Sequence, residues 1–589
     1  MSIINKIFFI LNKKQKKNFY ILSFLNFLNS FMELAGLVSL SVIILLTVNP
    51  ELYLDKLNNV SFYPDLLKFG LVKLENLNFS IYFFASIFLI TTIFKFLIKY
   101  YTINFSVKLN TEISNLLFKN FVNKKYIYLF DDTSSKLLNL ANYHSGRFSN
   151  SIVNPVLNLI SSISLIIILL ISFIGIGGFK TLIALIFIFF ISILVYLILS
   201  KFISRNEKNI IENDIKRQNI LNEGFNNIKY LKLSKKYFRL IKHYILFGNI
   251  YGKSLIFNLT SLHVAKPILE ISFLLIAVVF LSINLNIDNN SLIEYLPLIS
   301  FILLSFYRMM PSVQIMYQSF VHIKGSLGTL DELMRVLSNE THQEKLIKDN
   351  DQEKINFNKD IFLENISFNY KDKENLFEDV SIDIKKNSCV AFYGKSGQGK
   401  STIIDIICGL IEPSKGKLKI DGTVINEKNQ LSYQNKIGYL SQNFYILNDT
   451  ILNNVIFFEE INNENYIKAK NLLLRLFDNI EIKNFLENEE KVGENGIKLS
   501  QGQRQRLLIT RLLFEDKEIL ILDEPTSSID ENNIHKLKKI VESLKKDKTV
   551  IITSHNKEIL KVCDQIFVVD NNKIRNVEKD FILNQKYEN

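Results

Sequence analysis

Hydrophobic and polar positions divide this chain into two halves. Apolar stretches recur at 21–47, 80–100, 151–174, 181–202, 265–283 and 292–310, each long enough for the roughly 20-residue helix that crosses a bilayer. No soluble domain of this size needs so many helices that are apolar on every side, so the pattern predicts six membrane spans and not buried core helices. Polar but helix-compatible sequence continues at 99–125 and 201–217, which predicts helices that outrun the membrane and end in short turns near 131–140 and 222–234. Residues 3–11 are amphipathic and suit a helix lying flat on a membrane surface. The loop 49–79 carries apolar residues at helical spacing in 54–60 and 66–71, and predicts a second surface helix.

Further along, the period changes. Short apolar runs of strand length, 388–393 and 519–522 among them, alternate with helical runs, as in an α/β domain. The expected organisation is a membrane domain over 1–325, a Lys-, Asp- and Glu-rich linker over 326–356 and an α/β domain over 357–589.

Charge gives these elements an orientation. Lys13, Lys14, Lys16 and Lys17 precede the first span, and Lys201, Arg205, Lys208, Lys216, Arg217 and further cations up to Lys242 crowd the segment between the fourth and fifth. The opposite loops are nearly neutral, so the positive-inside rule places the N-terminus, the long connections and the α/β domain in the cytoplasm of a multi-pass inner-membrane protein. The net charge of +12 is then mostly juxtamembrane, and no nucleic-acid partner is expected. Three cysteines, Cys389, Cys408 and Cys563, fall in the second half and read as reduced core residues. The first span is too long for a cleavable secretory signal.

The chemistry sits in the α/β half. Gly394-Lys395-Ser396-Gly397-Gln398-Gly399-Lys400-Ser401 follows a strand pattern and opens a helix through Thr402, which makes it a phosphate-binding loop. Glycines let backbone N–H groups curl around phosphate oxygens, Lys400 brings a point charge, and the Ser401 hydroxyl can ligate magnesium. The later strand ends in Asp523-Glu524: one carboxylate to hold magnesium, the next to polarise an attacking water, with Glu524 as general base. ATP and Mg2+ are the expected cofactors.

Between these motifs lies Leu499-Ser500-Gln501-Gly502-Gln503, followed by Arg504-Gln505-Arg506 and a helical run, which resembles the signature of ABC transporter ATPases. That resemblance extends along roughly the last 230 residues in the family's order. It implies that Tyr370 stacks on adenine, that Gln442 is the Q-loop glutamine and a magnesium ligand, that Ser527 and Asp530 belong to the D-loop, and that His555 is the switch histidine. It further implies that Ser500 and Gly502 contact the γ-phosphate held by the opposite subunit. The chain departs from the family at Gln501 and Asn387, where Gly is usual. The segment 492–496 resembles the one by which exporter-type ATPase domains touch their membrane partner. Six spans, long cytoplasmic extensions and one ATPase domain resemble a half-size ABC exporter, which implies a homodimer with two ATP sites.

For cargo, the ionisable residues inside spans are the guide. Lys95, Lys266 and Arg308, against Glu33 and Glu270, would leave a wall of excess positive charge suited to a phosphate or pyrophosphate headgroup. The alternative is that Lys95 and Arg308 reach the interface and Lys266 pairs with Glu270. Short matches at 8–11, 306–312 and 447–451 resemble the lipid-linked oligosaccharide flippases of bacterial protein N-glycosylation, which implies a polyprenyl-diphosphate-linked glycan as cargo beside membrane lipids. Within the same class stand phospholipid, lipid A or multidrug exporters. From another class comes an ATP-gated channel or regulator, which a complete hydrolytic set of residues disfavours.

Overall fold

The computed structural model describes residues 3–48, 50–51, 76–129, 139–264, 266–268, 270–271, 309–340, 353–370, 375–395, 397–442, 445–477, 485–526, 531–570 and 572–578. The chain forms two compact units, one of Met1–Lys124 with Asp132–Gln343, the other of Lys125–Asp131 with Glu344–Asn589.

The first unit is helical. Helix α1 (Ile3–Ile10) leads into α2 (Lys13–Val48), followed by α3 (Leu77–Val122), α4 (Asn154–Asn226), α5 (Ile228–Ser234), α6 (Tyr237–Ser261) and α7 (Leu327–Glu340). In α1 the Ile7 and Ile10 side chains are buried, which matches the amphipathic reading of that segment. α2 packs against α3 and α4, and α4 against α6. Many apolar side chains on these helices stay exposed, among them Leu89, Ile93 and Phe96 of α3. That distribution is the reverse of a water-soluble bundle and suits helices solvated by lipid.

Three helical stretches, Lys13–Thr47, Leu77–Val122 and Leu140–Ser172, are long and apolar enough to cross a membrane among the described residues. They carry the first three expected spans. The expected fourth, 181–202, lies on α4, which runs unbroken from Asn154 to Asn226, so a turn between the third and fourth spans is absent from the structure. The physical reason is local: Pro155 stands in the first turn of α4, no later proline interrupts it, and Gly175, Gly177 and Gly178 cost a helix only about 1 kcal/mol each. The fifth and sixth expected spans, including Arg308, lie mainly outside the described residues, as does most of the loop 49–79. Among the described residues, three of the six expected spans appear as membrane-length stretches. The expected cytoplasmic turn near 222–234 is present: α4 ends at Asn226, α5 follows, and Lys235 closes it with φ 55°.

A polar cluster joins several helices of this unit. The Arg147 guanidinium pairs with Glu207 on α4 and donates to the Tyr143 hydroxyl (2.9 Å), the Gly325 carbonyl (3.2 Å) and the Ser326 hydroxyl (3.2 Å). Asn258 of α6 donates to the other Glu207 oxygen at 3.0 Å.

The second unit is α/β. Its first sheet is antiparallel, in the order β2 (Phe377–Lys385), β1 (Asp360–Phe368), β4 (Lys415–Ile420), β5 (Thr423–Val424). The second runs β10 (Lys573–Val577), β9 (Gln565–Asp570), β3 (Cys389–Tyr393), β8 (Thr549–Thr553), β7 (Ile519–Asp523), β6 (Ile437–Leu440), parallel except for the β9–β10 hairpin. β7 and β8 are buried along their whole length, which explains their unbroken apolar sequence. The helix α8 (Lys400–Ile407) leaves β3 and buries Ile403, Ile404, Ile406 and Ile407. All three cysteines are buried and free, with Cys389 Sγ 3.1 Å from Cys563 Sγ.

Candidate functional site

The phosphate-binding loop joins the end of β3 to α8. Gly394 is required by space, since a Cβ there would lie 2.4 Å from the Val569 carbonyl oxygen. Gly399 is required by backbone and space together, with φ 98° and a Cβ position 2.7 Å from the Phe377 ring. Gln398 fastens the loop: its carbonyl oxygen accepts from Lys395 N at 3.1 Å, and its amide donates to Asp570 Oδ1 at 2.9 Å. Ser396 lies outside the described residues, whereas Ser401 and Thr402 stand in the first turn of α8.

Lys400 is the buried centre of this loop. Its Nζ donates to the carbonyls of Gly394 (2.8 Å) and Lys395 (3.0 Å), and lies 3.1 Å from His555 Nε2 and 3.9 Å from Glu524 Oε1. Burial lowers its pKa, while Glu524 and Asp523 pull the other way.

The carboxylates come from the end of β7. Asp523 is 6% exposed, and its two oxygens accept from the Thr553 hydroxyl (2.6 Å) and the Tyr439 hydroxyl (3.2 Å). Burial and the nearby Asp523 charge push the Tyr439 phenol pKa up. Glu524 adopts φ 49°, a left-handed conformation rare for a non-glycine residue, held by its N–H donating to the Thr553 hydroxyl (2.8 Å) and carbonyl (3.1 Å). Gln442 donates to Glu524 Oε2 at 2.7 Å, and His555 Nε2 stands 3.1 Å from Oε1. A proton on Nε2 serves Glu524; a bare Nε2 accepts from Lys400.

Thus Lys400, Asp523, Glu524, Gln442 and His555 converge, as the sequence implied. Thr553 was not foreseen. The parallel register pairing Asp523 with Thr553 holds both carboxylate residues, and an apolar strand ending in Thr two residues before His555 was the available signal.

Tyr370 sits beside the loop, its hydroxyl 3.0 Å from Thr402 Oγ1 and its ring edge-on to Phe368. Asn387 occupies φ 55°, so the usual Gly is replaced by a residue that tolerates the left-handed region. Helix α9 (Gln501–Glu515) begins at the signature. Ser500 is its N-cap: the Ser500 hydroxyl accepts from Gln503 N (3.2 Å) and Gln503 Oε1 accepts from Ser500 N (2.8 Å). No acidic residue stands in its first turn, so Ser500, Gln501, Gly502 and the helix dipole form an end suited to an anion. Leu499 is buried beneath it. Gln505, just past the signature, donates through its amide to the carbonyl of Pro525, the residue after Glu524. Ser527 and Asp530 lie outside the described residues.

This donor set fits a magnesium nucleotide. A left-handed glycine loop opening a helix offers N–H groups to phosphates, and one buried carboxylate with a hydroxyl and an amide (Asp523, Ser401, Gln442) suits an ion that keeps phosphate and water ligands.

The charged span residues are placed in part. Lys95 pairs with the buried Glu33 at 2.8 Å, and Asn29 donates to the same carboxylate at 3.1 Å. Lys266 stands 3.9 Å from Glu270 with both exposed, and Arg308 lies outside the described residues.

Comparison with known proteins agrees with this geometry. Residues 377–527 match the family described as "ABC transporter". An ATP-dependent lipid A-core flippase of Blochmanniella pennsylvanica is 35% identical over 231 residues, 38% of this chain and 39% of that protein. A multidrug resistance ABC transporter ATP-binding and permease protein of Lactococcus lactis is 31% identical over 269 residues, 45% of this chain and 44% of that one. The chain thus matches roughly two fifths of the length of these relatives. The structure of a bacterial Atm1-family ABC exporter with ATP bound superposes with a TM-score of 0.73 at 16% identity, covering 98% of this chain and 97% of that one. The chain therefore carries an ABC transporter domain within the fold of an Atm1-type ABC exporter.

Proposed function

We propose that this chain is one half of an ATP-driven exporter of the cell membrane, and that two copies form a homodimer with two ATP sites. The observation that carries the reading is the convergence of Lys400, Glu524, Gln442 and His555 at the end of the phosphate loop. Lys400 and the loop N–H groups bind the β and γ phosphates; Asp523, Ser401 and Gln442 would hold Mg2+, which would supply charge neutralisation at the phosphates. Glu524, aimed by Gln442 and Thr553, takes a proton from the attacking water while His555 orients the γ-phosphate. Ser500 and Gly502 of each copy complete the site of the other. Tyr370 stacks on adenine once its hydroxyl leaves Thr402. A gate that only bound ATP would have no use for Glu524 in so constrained a conformation.

The cargo is an amphiphile. Relatives named as lipid A-core flippase and multidrug exporter favour a lipid or drug exporter over the narrower reading of a polyprenyl-diphosphate glycan. Lys95 is paired with Glu33, so its charge is offset locally and less open to a diphosphate. The test is ATPase activity of the purified protein in nanodiscs, titrated separately with lipid A-type lipid, polyprenyl-diphosphate glycan, phospholipid and a cationic dye. Stimulation by one class assigns the cargo; turnover indifferent to all four discards the lipid reading.

A further inference from the structure

A second binding feature lies in the helical unit. A groove of about 580 Å³ runs between α1, α2 and α4, walled by Ile7 and Phe8, by Phe27 and Phe31, and by Ile163 and Ile167. Its volume falls within the roughly 300–1,000 Å³ of small-molecule sites. Ser164 is the one polar residue in its wall, and that hydroxyl is already bonded, 2.5 Å from Ser30 Oγ and 2.7 Å from the Ile160 carbonyl. The groove thus offers a ligand hydrocarbon contact and no hydrogen bond. Phe31, Ile163 and Ile167 remain 40–50% exposed, so it opens sideways instead of closing into the core.

Its depth and its rim identify the occupant. From Phe19 to Phe31 on α2 the wall rises about 18 Å at 1.5 Å per residue, close to the roughly 15 Å of hydrocarbon in one leaflet. At the lower end stands the amphipathic α1, and α2 opens there with Lys13, Lys14, Lys16 and Lys17. Lys16 precedes the wall residue Phe19 by three positions and so shares its face. Gln15, by contrast, turns toward α3, donating to Glu112 at 2.5 Å.

We propose that this groove holds one acyl chain of an anionic glycerophospholipid of the cytoplasmic leaflet, its phosphate held at the lysine run. The lipid is a bound partner of the protein and not its cargo. The proposal rests on reading the helical unit as a membrane domain with α1 at the cytoplasmic surface.

The chain has no tryptophan, so a single introduced one reports its own surroundings. The full-length variants Phe27→Trp, in the groove, and Ile93→Trp, on the exposed face of α3, are reconstituted without nucleotide into phosphatidylcholine containing increasing brominated phosphatidylglycerol, or brominated phosphatidylcholine. Each lysine near an anionic surface favours the charged lipid about fivefold. Half-quenching at Phe27→Trp is therefore expected at about one fifth or less of the mole fraction of phosphatidylglycerol as of phosphatidylcholine. Ile93→Trp should show little preference, and adding Lys13→Gln with Lys16→Gln should erase the preference at Phe27→Trp. Equal quenching at both positions by both lipids would overturn the proposal, leaving ordinary boundary lipid. So would absence of quenching at Phe27→Trp, which would mean that protein covers the groove. If Phe27→Trp fails to fold, phosphatidylglycerol retained by the unsubstituted protein in native mass spectra, lost in Lys13→Gln/Lys16→Gln, decides the same point. Because no step needs ATP, selective quenching without ATPase turnover would sink the exporter reading and leave the groove standing.

Discussion

The α/β unit and the helical unit are held by different rules. In the α/β unit, function depends on particular atoms at particular distances: Lys400 Nζ within 3.1 Å of His555, Glu524 Oε2 within 2.7 Å of Gln442, Asp523 clasped by Thr553. Phosphate chemistry admits few substitutes for these groups, so their order and spacing are readable in the chain. The helical unit needs mainly length and apolarity, requirements that countless sequences meet. What distinguishes it lies in a few polar contacts between distant positions, and those leave no local motif.

The contrast breaks first at Glu524. A positioned general base contributes about 10²- to 10⁴-fold. Glu524→Gln should therefore lower ATP turnover by at least about a hundredfold while nucleotide binding persists, measured by phosphate release and by equilibrium binding of labelled ATP. Turnover near the parental rate would mean that the residue most legible from sequence is misassigned.

In the helical unit the largest effect is expected at Arg147. Its partner Glu207 is 14% exposed, so Arg147→Ala leaves a largely shielded carboxylate with Asn258 but without its counter-charge, at up to about 3 kcal/mol. The midpoint of thermal unfolding in detergent should fall steeply. In Arg147→Met/Glu207→Gln much of the loss should return, because no uncompensated charge is left. A single-site loss below about 1 kcal/mol would show that the cluster is solvated and that this unit lacks the specific contacts claimed for it.

Lys95 tests the middle ground. Its side chain is 47% exposed and that of Glu33 7%, so the pair lies between the surface and buried cases, and Lys95→Gln should cost about 1–2 kcal/mol. If the pair is structural, the fold by which cargo lipid stimulates ATPase activity should stay unchanged. Loss of that stimulation in a stable variant would restore Lys95 to the cavity wall.

Legibility followed these rules. The phosphate loop, the carboxylates at the end of β7, the signature and the switch histidine were visible because each is a short pattern tied to a strand or helix end. Thr553 was hidden because its role comes from the register of two strands, a relation between positions thirty residues apart. Arg147 and Glu207 were hidden for the same reason across a longer separation. The expected turn between the third and fourth spans failed differently: two separate apolar stretches, 151–174 and 181–202, suggest a turn between them, but an isolated helix meets its own backbone needs, and nothing in 154–226 after Pro155 forbids it to continue.

The smallest expected effect asks whether the α/β unit is tuned for stability as well as chemistry. Asp405 on α8 lies behind the phosphate loop, where burial first and the Asp523 charge second raise its pKa from 3.8 to about 6. Between those values the folded unit keeps a proton that the unfolded chain has released. Stability therefore falls as pH rises through this window, and the penalty is complete above about 6. After allowance for partial exposure it is on the order of 1 kcal/mol. Asp405→Asn removes the charge, so at pH 7.5 the variant should unfold about 2–4 °C higher than the parent, and the difference should vanish near pH 4. An advantage independent of pH would point to packing instead of charge. A disadvantage at pH 7.5 would mean that the ionised carboxylate has a favourable role in the folded unit, and that this position is held for stability.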